Sequence, residues 1–264
     1  MIPMPLSGKH ALVTGSTSGI GLAIARALAQ QGADVALNGF GEPSEIRRMV
    51  AELSEIRGVK VAHFDADLAH ADAVTDLVRR VEDEFGGVDI LVNNAGIQHV
   101  APVEMFPPDR WDAVLAVNLS AAFHGVRAAL PGMRTRGWGR IINIASVHGL
   151  VASVHKAAYV AAKHGLIGLT KVIALETARE AITCNAICPG WVDTPLVRAQ
   201  IDVRAGESGR SLEVETDALI SEKMPSGAFV EPAQLAALAV FLCSEAAAQI
   251  RGVAWPVDGA WTAQ

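Results

Sequence analysis

The sequence predicts an α/β fold: a doubly wound parallel sheet with helices on both faces. Three observations carry this. Short apolar runs rich in β-branched residues alternate with longer amphipathic stretches along most of the chain. Those runs lack polar alternation, as strands buried on both faces do. At 264 residues, with 51% hydrophobic and 19% charged residues, the chain is long and apolar enough for a large core, which excludes global disorder. With no linker, repeat or low-complexity tract, residues 1–264 read as one domain.

Taken in order, strand-like runs occupy residues 10–14, 34–38, 60–64, 88–92, 140–145 and 183–188. Over residues 21–31, Leu22, Ala25, Leu28 and Ala29 share a helical face, and over 68–85 so do Val74, Leu77, Val78 and Val81. Gly32 and the pair Gly86 and Gly87 stand where helix C-caps fall. Right-handed crossovers turn this alternation into a doubly wound sheet, and such sheets bind ligands beyond the carboxyl ends of their strands. One segment breaks the rhythm. Residues 197–223 hold ten charged residues in 27, with Gly206 and Gly209, before a helix starting near Glu231. A helical fragment at 211–224 makes residues 195–228 a candidate substrate-covering lid.

Composition excludes several function classes. The net charge is -6 with no basic patch, which argues against nucleic acid as a partner. Three cysteines cannot build a disulfide framework, and Cys184 and Cys188 read as small buried hydrophobes. No histidine has metal-ligand spacing, so no metal is expected. The N-terminus lacks a charged-then-apolar signal, and the most apolar run, 236–243, is far shorter than the ~18 residues of a membrane span. No membrane association is expected, and the cytoplasm is the expected compartment.

After the first strand-like run comes Thr14-Gly15-Ser16-Thr17-Ser18-Gly19-Ile20-Gly21, opening a helix. Glycines there permit a tight turn and let backbone amides and a helix N-terminus approach a pyrophosphate. No Gly-Lys-Ser/Thr follows, so the loop is not an ATPase-type cradle. The second run ends Leu37-Asn38-Gly39-Phe40, with neither the carboxylate that holds a ribose diol nor a cation for a ribose phosphate. The nearest basic residues, Arg47 and Arg48, lie well into the next helix. The missing cation favours NAD over NADP, and Phe40 is placed to pack on adenosine. Asp67 can accept from the adenine amino group or N-cap the following helix, and both can hold.

The chain has a single tyrosine, Tyr159, four residues before Lys163 and thirteen after Ser146. On a helix that spacing puts phenol and ammonium on one face. Lowering a phenol from about 10 to about 7 takes roughly 4 kcal/mol, which a lysine and an oxidised nicotinamide cation can supply together, giving a general base for an alcohol.

With these residues in place, the chain resembles the short-chain dehydrogenase/reductase family. The matching elements are residues 14–21, 93–96, Asn118, Ser146, Tyr159 with Lys163, Pro189 with Gly190, and 256–259, in family order over nearly the whole chain. The resemblance implies a Rossmann-type sheet of about seven strands. It implies Tyr159 as acid/base, Ser146 on the reacting oxygen, Lys163 on the nicotinamide ribose, and Asn118 supporting a water relay behind that lysine. Gly15, Thr17, Gly19, Ile20, Leu68, Asn94, Pro189, Gly190, Val192 and Thr194 join Phe40, Asp67, Tyr159 and Lys163 as cofactor contacts. Relatives are commonly homotetramers, and the apolar stretches 118–133 and 157–177 suit an interface.

Polar residues crowd the catalytic ones: Gln98, His99, His148, Lys156 and Gln200, with Trp191 after Pro189-Gly190. Such a set suits a small anionic hydroxy or keto acid, because a buried carboxylate needs a paired charge and satisfied hydrogen bonds. The stretches 93–100, 145–163 and 189–200 are similar to those of bacterial family members acting on 3-hydroxybutyrate. They imply NAD-dependent oxidation of (R)-3-hydroxybutyrate to acetoacetate. The implied clamp is Gln98, His148, Lys156 and Gln200 around the acid, with Trp191 on its apolar side. His155 is expected to be an ordinary solvated histidine. The alternatives are an NADPH-dependent 3-oxoacyl reductase and a non-catalytic dinucleotide-sensing protein.

Overall fold

The computed structural model describes residues 4–56 and 58–263. Residues 1–3 of the N-terminal stretch read above for a targeting signal lie outside the described residues. Seven strands, β1 (His10–Val13), β2 (Asp34–Leu37), β3 (Val61–His63), β4 (Ile90–Asn93), β5 (Gly139–Ile144), β6 (Ile182–Pro189) and β7 (Ala254–Val257), form one sheet. All pairs are parallel, in the order β3-β2-β1-β4-β5-β6-β7. The six strand-like runs are β1 to β6, and the seventh strand holds part of the C-terminal motif.

The helices are α1 (Gly19–Gln30), α2 (Pro43–Ser54), α3 (Ala71–Phe85), α4 (Pro108–Leu115), α5 (Ala121–Arg136), α6 (Ala157–Glu176), α7 (Pro195–Ser208), α8 (Leu212–Ser221) and α9 (Pro232–Cys243). Adjacent strand residues serve opposite cores. Val13, Val92 and Ile142 meet Ile24 and Leu28 of α1, Leu53 of α2 and Leu235 and Leu242 of α9. Leu12, Leu91 and Ile141 meet Leu77 and Val81 of α3 and Val126 and Met133 of α5. This explains why the runs carry no polar alternation. The chain reverses direction across the sheet between β1 and β4, opening a crevice at their carboxyl ends.

Three details depart from expectation. Helix α3 starts at Ala71 rather than 68, with His70 as its N-cap. Asp67 therefore does not N-cap it; its Oδ1 accepts the Ala69 amide at 3.0 Å in a preceding turn. Pro108–Arg136 and Ala157–Glu176 are long and apolar enough to cross a bilayer by length and composition, a breadth that the longest apolar run understates. Here α5 and α6 lie against the sheet. Between α4 and α5, residues Ala116–Ser120 form a π-helical turn. The charged segment folds as α7 and α8, bounded by Thr194 and Ser211 as N-caps, and α9 begins after Glu231 with a capping box to Gln234.

Candidate active site

The carboxyl ends of β1, β2 and β4 build a cradle. Gly15 (φ 61°) and Gly19 (φ 52°) adopt left-handed conformations that favour glycine. The Ser16 hydroxyl donates to the Val13 carbonyl at 2.7 Å, and the Ser16 amide to the Asn38 carbonyl at 2.7 Å. Asn94 Nδ2 donates to the Thr14 and Gly15 carbonyls, both at 2.9 Å, tying β4 to the loop. A Cβ on Gly21 would run into the Gly15 carbonyl and the Asn94 amide, so the helix starts tight against the loop.

A groove of about 330 Å³ runs along this cradle. Gly15, Thr17, Gly19, Ile20, Phe40, Asp67, Leu68, Asn94 and Thr194 line it. Phe40 is 74% exposed, a free aromatic face at the groove. Its carbonyl accepts the Thr17 hydroxyl at 2.8 Å, while His63 Nε2 lies 2.8 Å from the Gly39 carbonyl. The groove's lining includes no lysine or arginine. Arg48 is engaged by Glu45 at 2.5 Å and Glu52 at 3.8 Å on α2. Exposed amides at a helix start, an apolar platform and a carboxylate edge fit a dinucleotide.

Beside the groove, Ser146 follows β5, and Tyr159 and Lys163 lie one turn apart on α6. Tyr159 and Ser146 hydrogen-bond through their side chains. Burial pushes the phenol up, against the smaller pull of that hydrogen bond. The lowering expected from Lys163 and an oxidised nicotinamide together therefore works against burial. Lys163 Nζ donates to the Ile144 carbonyl at 2.7 Å and stands 5.5 Å from the Tyr159 ring centroid. Burial lowers its pKa to about 8.

Asn118 sits in the π-helical turn. Its Nδ2 donates to the Ile97 carbonyl and its Oδ1 accepts the Ile97 amide, both at 2.8 Å. The side chain thus ties the π-helical turn to the loop after β4. π-turns recur at functional sites because they displace backbone groups from the regular ladder.

A pocket of about 140 Å³ opens onto Ser146 and Tyr159. Gln98, His148, Lys156, Trp191 and Gln200 all line it, as do Asn94, Ile20, Pro189, Gly190, Val192 and Thr194. His148 lies between Ser146 Oγ (3.4 Å from Nδ1) and Ser153 Oγ (2.9 Å from Nε2). Burial first, then Lys156, lowers its pKa to about 4, so it is neutral at physiological pH. Lys156 Nζ stands 4.9 Å from the Trp191 ring centroid. Burial lowers its pKa to about 8, while Glu222 opposes the shift. Gln98 Nε2 and Trp191 Nε1 are buried without hydrogen-bond partners, donors left for a ligand.

His99 stacks edge-on to Phe106 at 5.3 Å and does not line this pocket. Trp261 does line it, 5.7 Å from Trp191 and 5.5 Å from His148 between ring centroids. Sequence reasoning missed Trp261. The only signal was its place just after the C-terminal motif.

Comparisons with known proteins agree with this geometry. Residues 9–204 match the family described as short chain dehydrogenase. A D-beta-hydroxybutyrate dehydrogenase of Cupriavidus necator is 58% identical over 98% of this chain and 100% of its own length. A second protein of that name, from Rhizobium meliloti, is 52% identical over 97% and 99%. The crystal structure of L-sorbose reductase from Gluconobacter frateurii, complexed with NADPH and L-sorbose, superposes with a TM-score of 0.92 at 34% identity, covering 98% of both chains.

Proposed function

We propose, for a chain that belongs to the short-chain dehydrogenase family and so uses a nicotinamide dinucleotide, the reversible oxidation of (R)-3-hydroxybutyrate to acetoacetate with NAD as hydride acceptor. One observation carries the reading: a small pocket in which Ser146 and Tyr159 face a lysine, a neutral histidine and two glutamines.

Gly15, Thr17, Gly19, Ile20, Asn94 and the stretch from Pro189 and Gly190 through Val192 and Thr194 would hold the dinucleotide, with Phe40, Asp67 and Leu68 on adenosine. When bound, the nicotinamide accepts hydride from the substrate carbon and brings a positive charge. Tyr159 takes the hydroxyl proton, and Ser146 donates to the reacting oxygen. Lys163 holds the nicotinamide ribose, and its charge favours the phenolate. Gln98, His148, Lys156 and Gln200 receive the carboxylate, and Trp191 covers the methyl side. The groove's lack of a cation supports NAD, because a ribose phosphate would stand there without a counter-charge. The polar lining of Gln98, His148, Lys156 and Gln200 supports a small acid over a carrier-linked acyl chain.

In this reading the chain is one domain and α7 with α8 is its lid, since Gln200 lines the pocket from α7. The protein is a homotetramer, supported by exposed Phe123 on α5 and Val172 and Leu175 on α6. Three free, buried cysteines support a reducing cytoplasm. A substrate panel tests the function: both enantiomers of 3-hydroxybutyrate and a longer homologue, each with NAD⁺ and NADP⁺. The R enantiomer with NAD⁺ is expected to give the highest kcat/KM. Preference for the longer acid or for NADP⁺ would overturn the reading.

A further inference from the structure

Among the described residues, only His155 (φ 65°) and Ala260 (φ 70°) adopt positive φ without being glycine. His155 directly precedes Lys156, which lines the pocket together with Lys163. Its side chain is exposed, as is that of Val154 before it. Its main chain is held: the His155 carbonyl accepts the Ala101 amide at 3.0 Å, three residues beyond Gln98. Immediately after this turn, Lys156 takes up the N-cap position of α6 (φ −119°, ψ 34°) and sends Nζ over Trp191. One left-handed residue thus sits between an exposed turn and an inward-pointing lysine. It is also tied to the loop that carries Gln98.

We propose that His155 is a positioning residue for substrate recognition. Its left-handed backbone, rather than its imidazole, aims Lys156 into the pocket and fixes it relative to Gln98. The proposal rests on Lys156 being the counter-charge of the substrate carboxylate. Outside glycine, the left-handed region is reached most readily by Asn, Asp and His, and it is strongly disfavoured for β-branched residues. Non-glycine residues persist there only where the surroundings over-determine the conformation, and such residues cluster at functional sites. A residue that resists this conformation would rotate the turn and withdraw the ammonium, although it touches no substrate itself.

The test is steady-state kinetics with (R)-3-hydroxybutyrate and NAD⁺ for H155N, H155G, H155A and H155V, each alone and combined with K156A. H155N and H155G are expected to keep KM within about twofold, because both tolerate positive φ. H155V is expected to raise KM roughly tenfold with little change in kcat, and in the K156A background to add nothing further. NADH binding, read by fluorescence, reports folding for each variant. Should H155V fail to bind NADH, H155A carries the comparison, with a KM rise of about threefold expected. If H155G raises KM as much as H155V, the imidazole matters and the proposal is overturned. It is overturned equally if H155V leaves KM unchanged while K156A raises it. If K156A itself leaves KM unchanged, the counter-charge assignment fails first and takes the proposal with it.

Discussion

Lys156 and His148 carry opposite instructions about pH. Burial lowers Lys156 to about 8, so raising pH through that value removes the charge proposed to meet the substrate carboxylate. KM for the hydroxy acid is expected to be flat between about pH 6 and 7 and to climb above about pH 8. Lys156→Gln is expected to raise KM at neutral pH by roughly tenfold or more and to abolish the climb, as pH–KM profiles of both proteins will reveal. His148, lowered to about 4, is neutral throughout that range, so no inflection from this imidazole is expected at the ordinary histidine value. The proposed catalytic side chains were legible in the sequence because Tyr159 and Lys163 lie one turn apart and Ser146 follows a strand. Trp261 and the left-handed His155 were not. The first reaches the pocket by a contact 70 residues removed from Trp191 in sequence, and the second is a backbone conformation that a histidine does not announce.

Helices α7 and α8 are joined by a buried carboxylate as well as by the packing of Val197 and Ile201 on Leu219. Glu215 of α8 is 1% exposed and accepts from Ser208 Oγ at 2.7 Å, Arg210 Nε at 2.7 Å and Arg204 Nε at 3.2 Å. The Ser208 hydrogen bond first, then the two arginines, hold its carboxyl below the usual range. The charge is thus present at neutral pH and is lost only as pH falls through that lowered value. Glu215→Ala leaves two arginines facing one another across the α7–α8 corner. Hydrogen exchange across 195–221 is expected to accelerate while β1, β4 and β5 keep their protection, and KM is expected to rise because Gln200 loses its footing. Equal acceleration in the sheet would instead mean global destabilisation. Composition marked this segment as charged and helical. Which carboxylate joins the two helices was not legible, since Arg204, Arg210 and Glu215 meet only after the chain turns back at Gly209 (φ 71°). The start of α3 was misplaced for a similar reason: Asp67 spends its side chain on a turn that pattern alone cannot separate from the helix.

At the scale of the molecule, the doubly wound parallel sheet was legible in the rhythm of runs because right-handed crossovers leave few alternatives, whereas the order β3-β2-β1-β4-β5-β6-β7 came from the structure. The homotetramer proposed above is tested at this scale. Light scattering is expected to give a mass of four chains, and a charge placed at both Phe123 and Leu175, exposed on α5 and α6, is expected to lower it. Retention of the tetramer in that double variant would move the interface elsewhere. The pocket spans almost the entire chain, from Ile20 on α1 to Trp261 beyond β7. Synthesis therefore completes the binding site only once Trp261 has been added. A ribosome-released fragment ending before Trp261 could possess the glycine cradle and the tyrosine yet lack one wall. Because β7 is itself an edge strand, a fragment that also lacked β7 would move that edge to the eight-residue β6, a longer row of unpaired backbone groups open to aggregation or proteolysis.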